Sequence, residues 1–139
     1  MTVELGRVGA SVGLADLSED FARDFEHDGW GALWVGPSVA PDLVEVERVL
    51  AATESIPVVT AITTIWSAPP ADIAAAYHRV TDRFGDRFVL GLGTAHAGIN
   101  APRQAKPLHA MREMLDGLDG LDAAGVPVEG GCSRPSDPA

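Results

Sequence analysis

The sequence predicts an α/β protein built from parallel βα units. Short apolar runs alternate with segments whose apolar residues recur every three or four positions, and four such pairs follow one another at a spacing of roughly 25 to 30 residues. Repeated βα pairs favour a parallel sheet, because each crossover returns the chain to the same sheet with a right-handed turn. Two architectures fit: part of an eight-stranded βα barrel of the TIM type, or a small open doubly wound sheet.

The first two pairs occupy the first part of the chain. Residues 3–13 predict a strand, and residues 17–28 predict a helix that begins near Ser18 and ends at Gly29. The second strand covers residues 32–35, and its helix carries apolar residues at helical spacing (Leu43, Val46, Val49, Leu50). The two tryptophans around this strand, Trp30 and Trp34, are expected to pack in the core.

The last two pairs continue the pattern. Residues 56–65 are almost entirely β-branched and predict a strand, which is followed by a helix that opens at Pro69-Pro70. Residues 87–93 predict a fourth strand, and Pro107 begins a fourth helix. From residue 129 the apolar pattern disappears, so residues 129–139 are expected to be a disordered tail.

Composition excludes several classes of function. The 139 residues carry 10 Lys+Arg against 20 Asp+Glu, a net charge of −10, which argues against nucleic-acid binding. The single cysteine, Cys132, cannot form an internal disulfide, and no stretch approaches the ~18 apolar residues of a membrane span. No histidine and carboxylate spacing suggests a metal site. The expected location is therefore the cytoplasm.

Polar residues gather where the third strand ends. In either architecture ligands bind beyond the carboxyl ends of the strands, which directs attention to four segments, residues 9–13, 36–39, 61–67 and 94–100, and above all to the last two. In the third segment three threonines and Trp66 crowd one strand end (Thr60, Thr63, Thr64), and hydroxyls with an indole could flank a flat heteroaromatic ring. The alternative is that the threonines serve strand packing and Trp66 caps the core.

The fourth segment follows the fourth strand and contains a histidine. It reads Gly91-Leu92-Gly93-Thr94-Ala95-His96, in which the glycines allow a ligand to approach the backbone. His96 could act as an acid or base near neutral pH, or it could simply be a solvated loop residue. The segment is not a dinucleotide-binding fingerprint, since the third glycine is missing and no helix starts at the turn.

The motif from Arg87 to Gly93 resembles the Arg-Phe-x-Leu-Gly-x-Gly strand of the bacterial luciferase-like flavin and deazaflavin oxidoreductases. The preceding Ala-rich helix with Tyr77-His78 and the strand Gly31–Gly36 are similar to the same family. The resemblance is closest to the deazaflavin-dependent branch and covers residues 3 to about 128. It implies a βα barrel that binds a deazaflavin, or FMN in other branches, and transfers a hydride to or from a small organic substrate.

The resemblance also implies roles for individual residues. The family carries a non-proline cis peptide in its third strand, which here would fall at Ala61-Ile62. Cofactor contacts are implied for the residues around it and after the fourth strand (Ala61, Ile62, Thr63, Thr64, Thr94). His96 takes the place of a proton-donating group and is the implied catalytic residue. Pro37-Ser38 stand where many relatives have an acidic residue and a histidine.

The chain has about half the elements of a complete barrel, which needs ~250 residues. Residues 1–128 are accordingly expected to form an N-terminal half-barrel with open strand edges. Such a half is expected to pair as a homodimer or with a missing C-terminal half. A second hypothesis is a non-catalytic fragment or interaction module that pairs through these edges. A third is a complete doubly wound domain with a nucleotide at its switch point, which predicts strands out of sequential order.

Overall fold

A computed structural model describes residues 3–95 and 106–122. The strands are β1 (Gly9–Gly13), β2 (Ala32–Gly36), β3 (Val58–Thr60), β4 (Thr63–Thr64), β5 (Phe88–Val89) and β6 (Leu92–Gly93). The helices are α1 (Glu19–His27), α2 (Val44–Ala52), α3 (Pro70–Phe84) and α4 (Pro107–Asp122). No helix within these described ranges is long and apolar enough to cross a membrane. The proposed tail, residues 129–139, lies outside the described residues.

The strands form a parallel sheet in chain order. β1 pairs with β2, β2 with β3, and β3 with β5, all in parallel, while β4 pairs in parallel with β6 as a short continuation. Parallel strands in sequential order, with helices after β1, β2, β4 and β6, are the arrangement of a βα barrel, so the fold class predicted from the sequence is confirmed. The doubly wound alternative required strands out of sequential order and is wrong.

Two predicted strands are each interrupted in the middle. The predicted strand 56–65 is divided into β3 and β4, and the predicted strand 87–93 into β5 and β6. The interruption between β3 and β4 falls at Ala61-Ile62, and this peptide bond is cis, as the family resemblance implied. Beside it the Thr60 hydroxyl donates to the Gly91 carbonyl at 3.0 Å and accepts from the Gly91 N–H at 2.8 Å. The Thr60 hydroxyl thus replaces the backbone hydrogen bonds of the strand pair at this point.

Helix boundaries follow the local sequence signals closely. Ser18 caps α1, since its hydroxyl accepts from the Phe21 N–H at 3.0 Å, and Gly29 follows the helix with a φ of 82°. The first strand begins six residues later than predicted. Gly6 has a φ of 68° there and a β-carbon on it would overlap Gly31, so the chain turns before it can pair.

The core lies between the sheet and the helices. Leu33 and Val35 on β2 are completely buried on this outer face, together with Val46 of α2 and Val80 of α3. Phe88 of β5 contacts the Tyr77 ring of α3, with ring centroids 5.8 Å apart. The alternating side chains of each strand point to the opposite, inner face of the sheet.

The prediction that both tryptophans pack in the core is wrong. Trp34 lies between the two buried residues Leu33 and Val35 and therefore points to the inner face, where it is 36% exposed. Trp30 stacks on Phe25 with centroids 5.2 Å apart but remains 40% exposed. The apolar run 32–35 correctly predicted a strand. It did not predict that helices cover only one face of that strand within the described residues.

A partly exposed polar network joins the elements at the amino edge of the sheet. The Glu26 carboxylate of α1 accepts hydrogen bonds from the backbone N–H groups of Glu54, Ser55 and Ile56 at 2.6 to 3.1 Å. Burial raises the pKa of Glu26, but these N–H donors outweigh it and the net pKa is lowered. Arg87 donates to the carbonyls of Leu50, Thr53 and Ile56 across the same loop.

Candidate functional site

The candidate site lies at the carboxyl edge of the sheet and is centred on the Ala61-Ile62 bulge. The Ala61 N–H donates to the Val35 carbonyl at 2.7 Å, and the Ile62 N–H donates to the Pro37 carbonyl at 3.3 Å. The Ile62 carbonyl in turn accepts from the Val39 N–H at 2.9 Å. The bulge is thereby tied on both sides to the loop that follows β2. That loop begins with a second cis peptide, Gly36-Pro37.

Three glycines make room for this bulge. A β-carbon on Gly36 would overlap the Ala61 carbonyl, and one on Gly91 would overlap the Thr60 carbonyl. A β-carbon on Gly93 would overlap the Ile62 side chain. We call these three residues the glycine cradle. Glycine is required at Gly36 and Gly91, because a backbone carbonyl already occupies the space that any other residue would need, whereas at Gly93 the end of the Ile62 side chain would have to shift.

The threonines of the edge differ in what their hydroxyls bind. Thr63 is completely buried, and its Oγ1 has no hydrogen-bond partner among the described residues. The Thr64 hydroxyl accepts from the Trp66 N–H at 3.3 Å, and Thr64 is 9% exposed. Buried hydroxyls are almost always paired, so Thr63 is an exception among the described residues.

Trp66 connects the two halves of the site. Its indole Nε1 donates to the Thr94 carbonyl at 2.8 Å, across 28 residues of sequence. This bond holds the segment after β6 against the turn after β4, where the Ser67 hydroxyl donates to the Thr64 carbonyl at 2.6 Å. The sequence raised two readings of Trp66, a ring neighbour or a core cap. The structure adds a third role, because the Trp66 indole holds the Thr94 backbone by a hydrogen bond.

The structure brings together five of the six residues singled out from the sequence. Ala61 and Ile62 form the bulge, and the three threonines lie beside it in β4 and after β6 (Thr63, Thr64, Thr94). His96 lies outside the described residues. The loop Pro37–Val39, which lies in one of the four strand-end segments singled out from the sequence, supports the bulge from the β2 side. The Gly36-Pro37 pair marked a turn there, but nothing in the sequence showed that the turn hydrogen-bonds to the third strand.

The peptide groups and side chains around the bulge carry no charge. Ala61 and Ile62 are partly exposed and present peptide groups, while the neighbouring side chains carry hydroxyls or an indole. Within the ranges described, no group of three or more His, Cys, Asp or Glu residues could hold a metal ion. A surface of peptide planes with a few hydroxyls suits a flat, polar-edged ring better than a phosphate or a metal.

Comparison with known proteins found one family model and several solved structures that are similar to this chain. Residues 6–130 match the family model described as luciferase-like monooxygenase. Among solved structures the chain is similar to the monooxygenase RslO1 from Streptomyces bottropensis, with 15% identity and a TM-score of 0.66 over 84% of this chain and 43% of that one. It is also similar to apo-MsnO8, with 20% identity and a TM-score of 0.56 over 96% of this chain and 46% of that one.

The chain therefore spans less than half the length of these two solved proteins. At these identities the likeness concerns the fold. No protein of curated function matches the chain.

Proposed function

The chain belongs to the luciferase-like monooxygenase family, and from this premise we propose that it forms the cofactor-binding half of a flavin-type oxidoreductase. The proposed cofactor is a deazaflavin, with FMN as the alternative. When bound, it supplies a hydride or an electron pair for reaction with a small organic substrate. The whole barrel's activity is part of the proposal, because this chain spans under half of its solved neighbours.

The observation that carries the proposal is the Ala61-Ile62 bulge. Its peptide groups are partly exposed, while hydrogen bonds to Val35 and Pro37 hold them from the β2 side. The glycine cradle keeps side chains away from the bulge. A flat ring needs such a rigid, uncluttered surface, so the residues present fit the proposed cofactor.

The side chains around the bulge have separate proposed roles. The Thr63 hydroxyl, unpaired among the described residues, would bond a polar edge of the ring, and Thr64 would line the same side. Thr94 is held at the rim by Trp66 and would contact the ring from the β6 side. His96 is proposed as the acid or base, or as a hydrogen-bond donor to charge that develops during the reaction.

A second half-barrel is proposed to complete the site. Within the described sheet, β1 pairs only with β2, and β5 pairs only with β3, so each leaves one edge open. Open parallel edges are templates for pairing with another chain. We propose that a second copy of this chain, or a C-terminal half-barrel, covers these edges in the cytoplasm.

A non-catalytic interaction module remains the second candidate. The same open edges favour it, because edge pairing needs no cofactor. The two candidates differ in one respect: the module would pair but would bind neither deazaflavin nor FMN.

The test is a fluorescence titration of the folded chain with the deazaflavin coenzyme and with FMN, accompanied by sedimentation of the same samples. We expect saturable binding at micromolar concentrations or below, by a dimer. Thr94→Val should weaken binding by about fivefold, the cost of one hydrogen bond. Thr81→Val is the matched control, since the Thr81 hydroxyl bonds only within α3 among the interactions described here. A folded dimer that binds neither cofactor would support the interaction module instead.

A further inference from the structure

The loop between β2 and α2 is attached to the bulge at its first end. We call residues 37–43 the β2–α2 loop. The Val39 N–H donates to the Ile62 carbonyl at 2.9 Å, and the Pro37 carbonyl accepts from the Ile62 N–H at 3.3 Å. The Val39 side chain is buried in the core, which fixes this end of the loop further. The position of the Ala61-Ile62 bulge therefore depends on the conformation of the loop.

The other end of the β2–α2 loop carries a residue in a strained conformation. Leu43 has a φ of 58° and a ψ of 20°, in the left-handed region that favours glycine. Its side chain is nevertheless buried in the core, and its N–H donates to the Ala40 carbonyl at 3.1 Å. In this region the β-carbon lies too close to a carbonyl oxygen, so a leucine stays there only when the surrounding structure holds it.

Arg79 of α3 binds the peptide group that precedes Leu43. Its Nη2 donates to the Asp42 carbonyl, which belongs to the peptide between Asp42 and Leu43. Its Nε donates to both carboxylate oxygens of Glu47 at 3.2 Å, so α2 orients the guanidinium. Rotation of this peptide would let Leu43 leave the left-handed region. The Arg79 bond opposes the rotation, because the Asp42 carbonyl would move away from the guanidinium.

These contacts form a continuous path from α3 to the bulge. Arg79 fixes the peptide before Leu43, the loop continues back to Val39, and Val39 bonds to Ile62. A path of this kind couples two positions when one of its elements has two discrete arrangements. The peptide before a left-handed leucine is such an element, since it can rotate to a less strained conformation. Arg79 can thus act on the bulge without contacting it.

We propose that Arg79 is a positioning residue for the Ala61-Ile62 bulge, and that it acts by holding the peptide between Asp42 and Leu43 in place. The inference rests on the proposed function only where it concerns cofactor binding. The order of the loop can be measured without any cofactor. The Arg79 side chain is 48% exposed, and an exposed ion pair contributes little to global stability. The effect is therefore expected in the loop and the bulge, not in the whole fold.

The test is hydrogen exchange of individual backbone amides, followed by NMR, in the parent chain and in Arg79→Met. We expect the Val39 and Ile62 amides to exchange about tenfold faster in the variant, the value of one lost hydrogen bond to a charged group. The Leu33 and Val58 amides are buried and bonded within the sheet, and their rates should change by less than about twofold. A merely structural role would accelerate these two amides at least as much as those of the loop.

Two further variants separate the carbonyl bond from the charge. Arg48→Met is the matched control, because Arg48 forms an exposed pair with Glu45 at 2.7 Å within α2. It should leave the rates of all four amides within about twofold of the parent. Arg79→Lys keeps the charge but lacks the planar guanidinium that bonds two partners at once, so Val39 and Ile62 should still exchange about fivefold faster. Parent rates in Arg79→Lys would contradict the role of the carbonyl bond.

Cofactor titration separates this proposal from the proposed function. Arg79→Met should bind deazaflavin or FMN about threefold more weakly, because binding must then also order the loop. Unchanged exchange at Val39 and Ile62, or equal acceleration of all four amides, would overturn the positioning role. So would a loosened loop with unchanged cofactor affinity. A loosened loop in a chain whose parent binds neither cofactor would refute the proposed function and keep the effect of Arg79 on the bulge.

Discussion

Two threonines three residues apart show how much a single hydroxyl depends on its surroundings. Thr60 is 1% exposed and its hydroxyl both donates to and accepts from the Gly91 backbone. Thr63 is 0% exposed and its hydroxyl has no partner in the part of the chain described. The first hydroxyl contributes to the fold, whereas the second costs desolvation that no hydrogen bond within the described residues offsets.

Replacing these threonines by valine should therefore shift stability in opposite directions. Thr63→Val should raise the free energy of unfolding by about 1 kcal/mol, because an unsatisfied buried hydroxyl is removed at nearly constant volume. Thr60→Val should lower it by about 2 kcal/mol, because two bonded Gly91 groups lose their partner. Urea unfolding of both variants measures the difference.

The same Thr63→Val protein tests the proposed ring contact. If the hydroxyl pairs with the cofactor, the more stable variant should bind deazaflavin or FMN about fivefold more weakly. Unchanged binding together with higher stability would remove Thr63 from the site.

At the scale of elements, the site depends on strands that are interrupted. β3 and β5 stop where the bulge begins, and β4 and β6 resume beyond it. Hydrogen bonds from Ala61 and Ile62 to the β2 side, and from Thr63 to Gly91 at 2.8 Å, keep the interrupted strands in line. The glycine cradle is what lets three strands approach a displaced backbone.

Filling the cradle should destabilise the fold. Gly36→Ala places a methyl group against the Ala61 carbonyl and should cost about 2 kcal/mol, since backbone must move to admit it. Gly120→Ala is the matched control in α4, where a β-carbon would meet no atom within 4 Å. That change should stabilise the protein by about 0.5 to 1 kcal/mol through helix propensity. Thermal unfolding of both variants checks the pair, and a Gly36→Ala protein as stable as the parent would contradict the packing.

At the scale of the whole molecule, Glu26 ties α1 to the loop before β3. Its carboxylate accepts from the backbone of Glu54, Ser55 and Ile56, and its charge also attracts the partly buried Arg87. Burial lowers the pKa of Arg87 while Glu26 opposes that change. These bonds join positions that are 28 to 30 residues apart, so they hold the first two βα units together.

The lowered pKa of Glu26 gives this contact a pH dependence. A carboxyl group with a pKa lower in the folded protein stabilises it above the unfolded pKa, and this stabilisation is lost as the pH falls through the folded value, below 4.5 here. Glu26→Gln should cost about 2 kcal/mol at pH 7 and progressively less below pH 4.5. Glu45→Gln is the control, because Glu45 forms an exposed pair with Arg48 and such pairs contribute little. Urea unfolding between pH 3 and 7 measures both, and a constant difference for Glu26→Gln would contradict the assignment.

The amino-acid sequence by itself determined the order and type of the elements. Period and capping are local properties, so the helix start at Ser18 and the proline at the start of α3 could be identified without tertiary information. The motif around Gly91 and Gly93 also led to the bulge at Ala61-Ile62, through resemblance to a family. The residue pattern alone predicted Thr63 and Thr64 at the end of the third strand, and the structure places them in β4.

Tertiary structure alone decided which strand faces are buried and which polar atoms are hydrogen-bonded. Alternation assigns Leu33 and Trp34 to opposite faces, but only the packed helices show that Leu33 faces the core and Trp34 the uncovered side. The Thr60 bond to Gly91 and the Trp66 bond to Thr94 span 31 and 28 residues. Contacts over such separations depend on how the strands are brought side by side. The pattern of neighbouring residues in the sequence does not predict this arrangement.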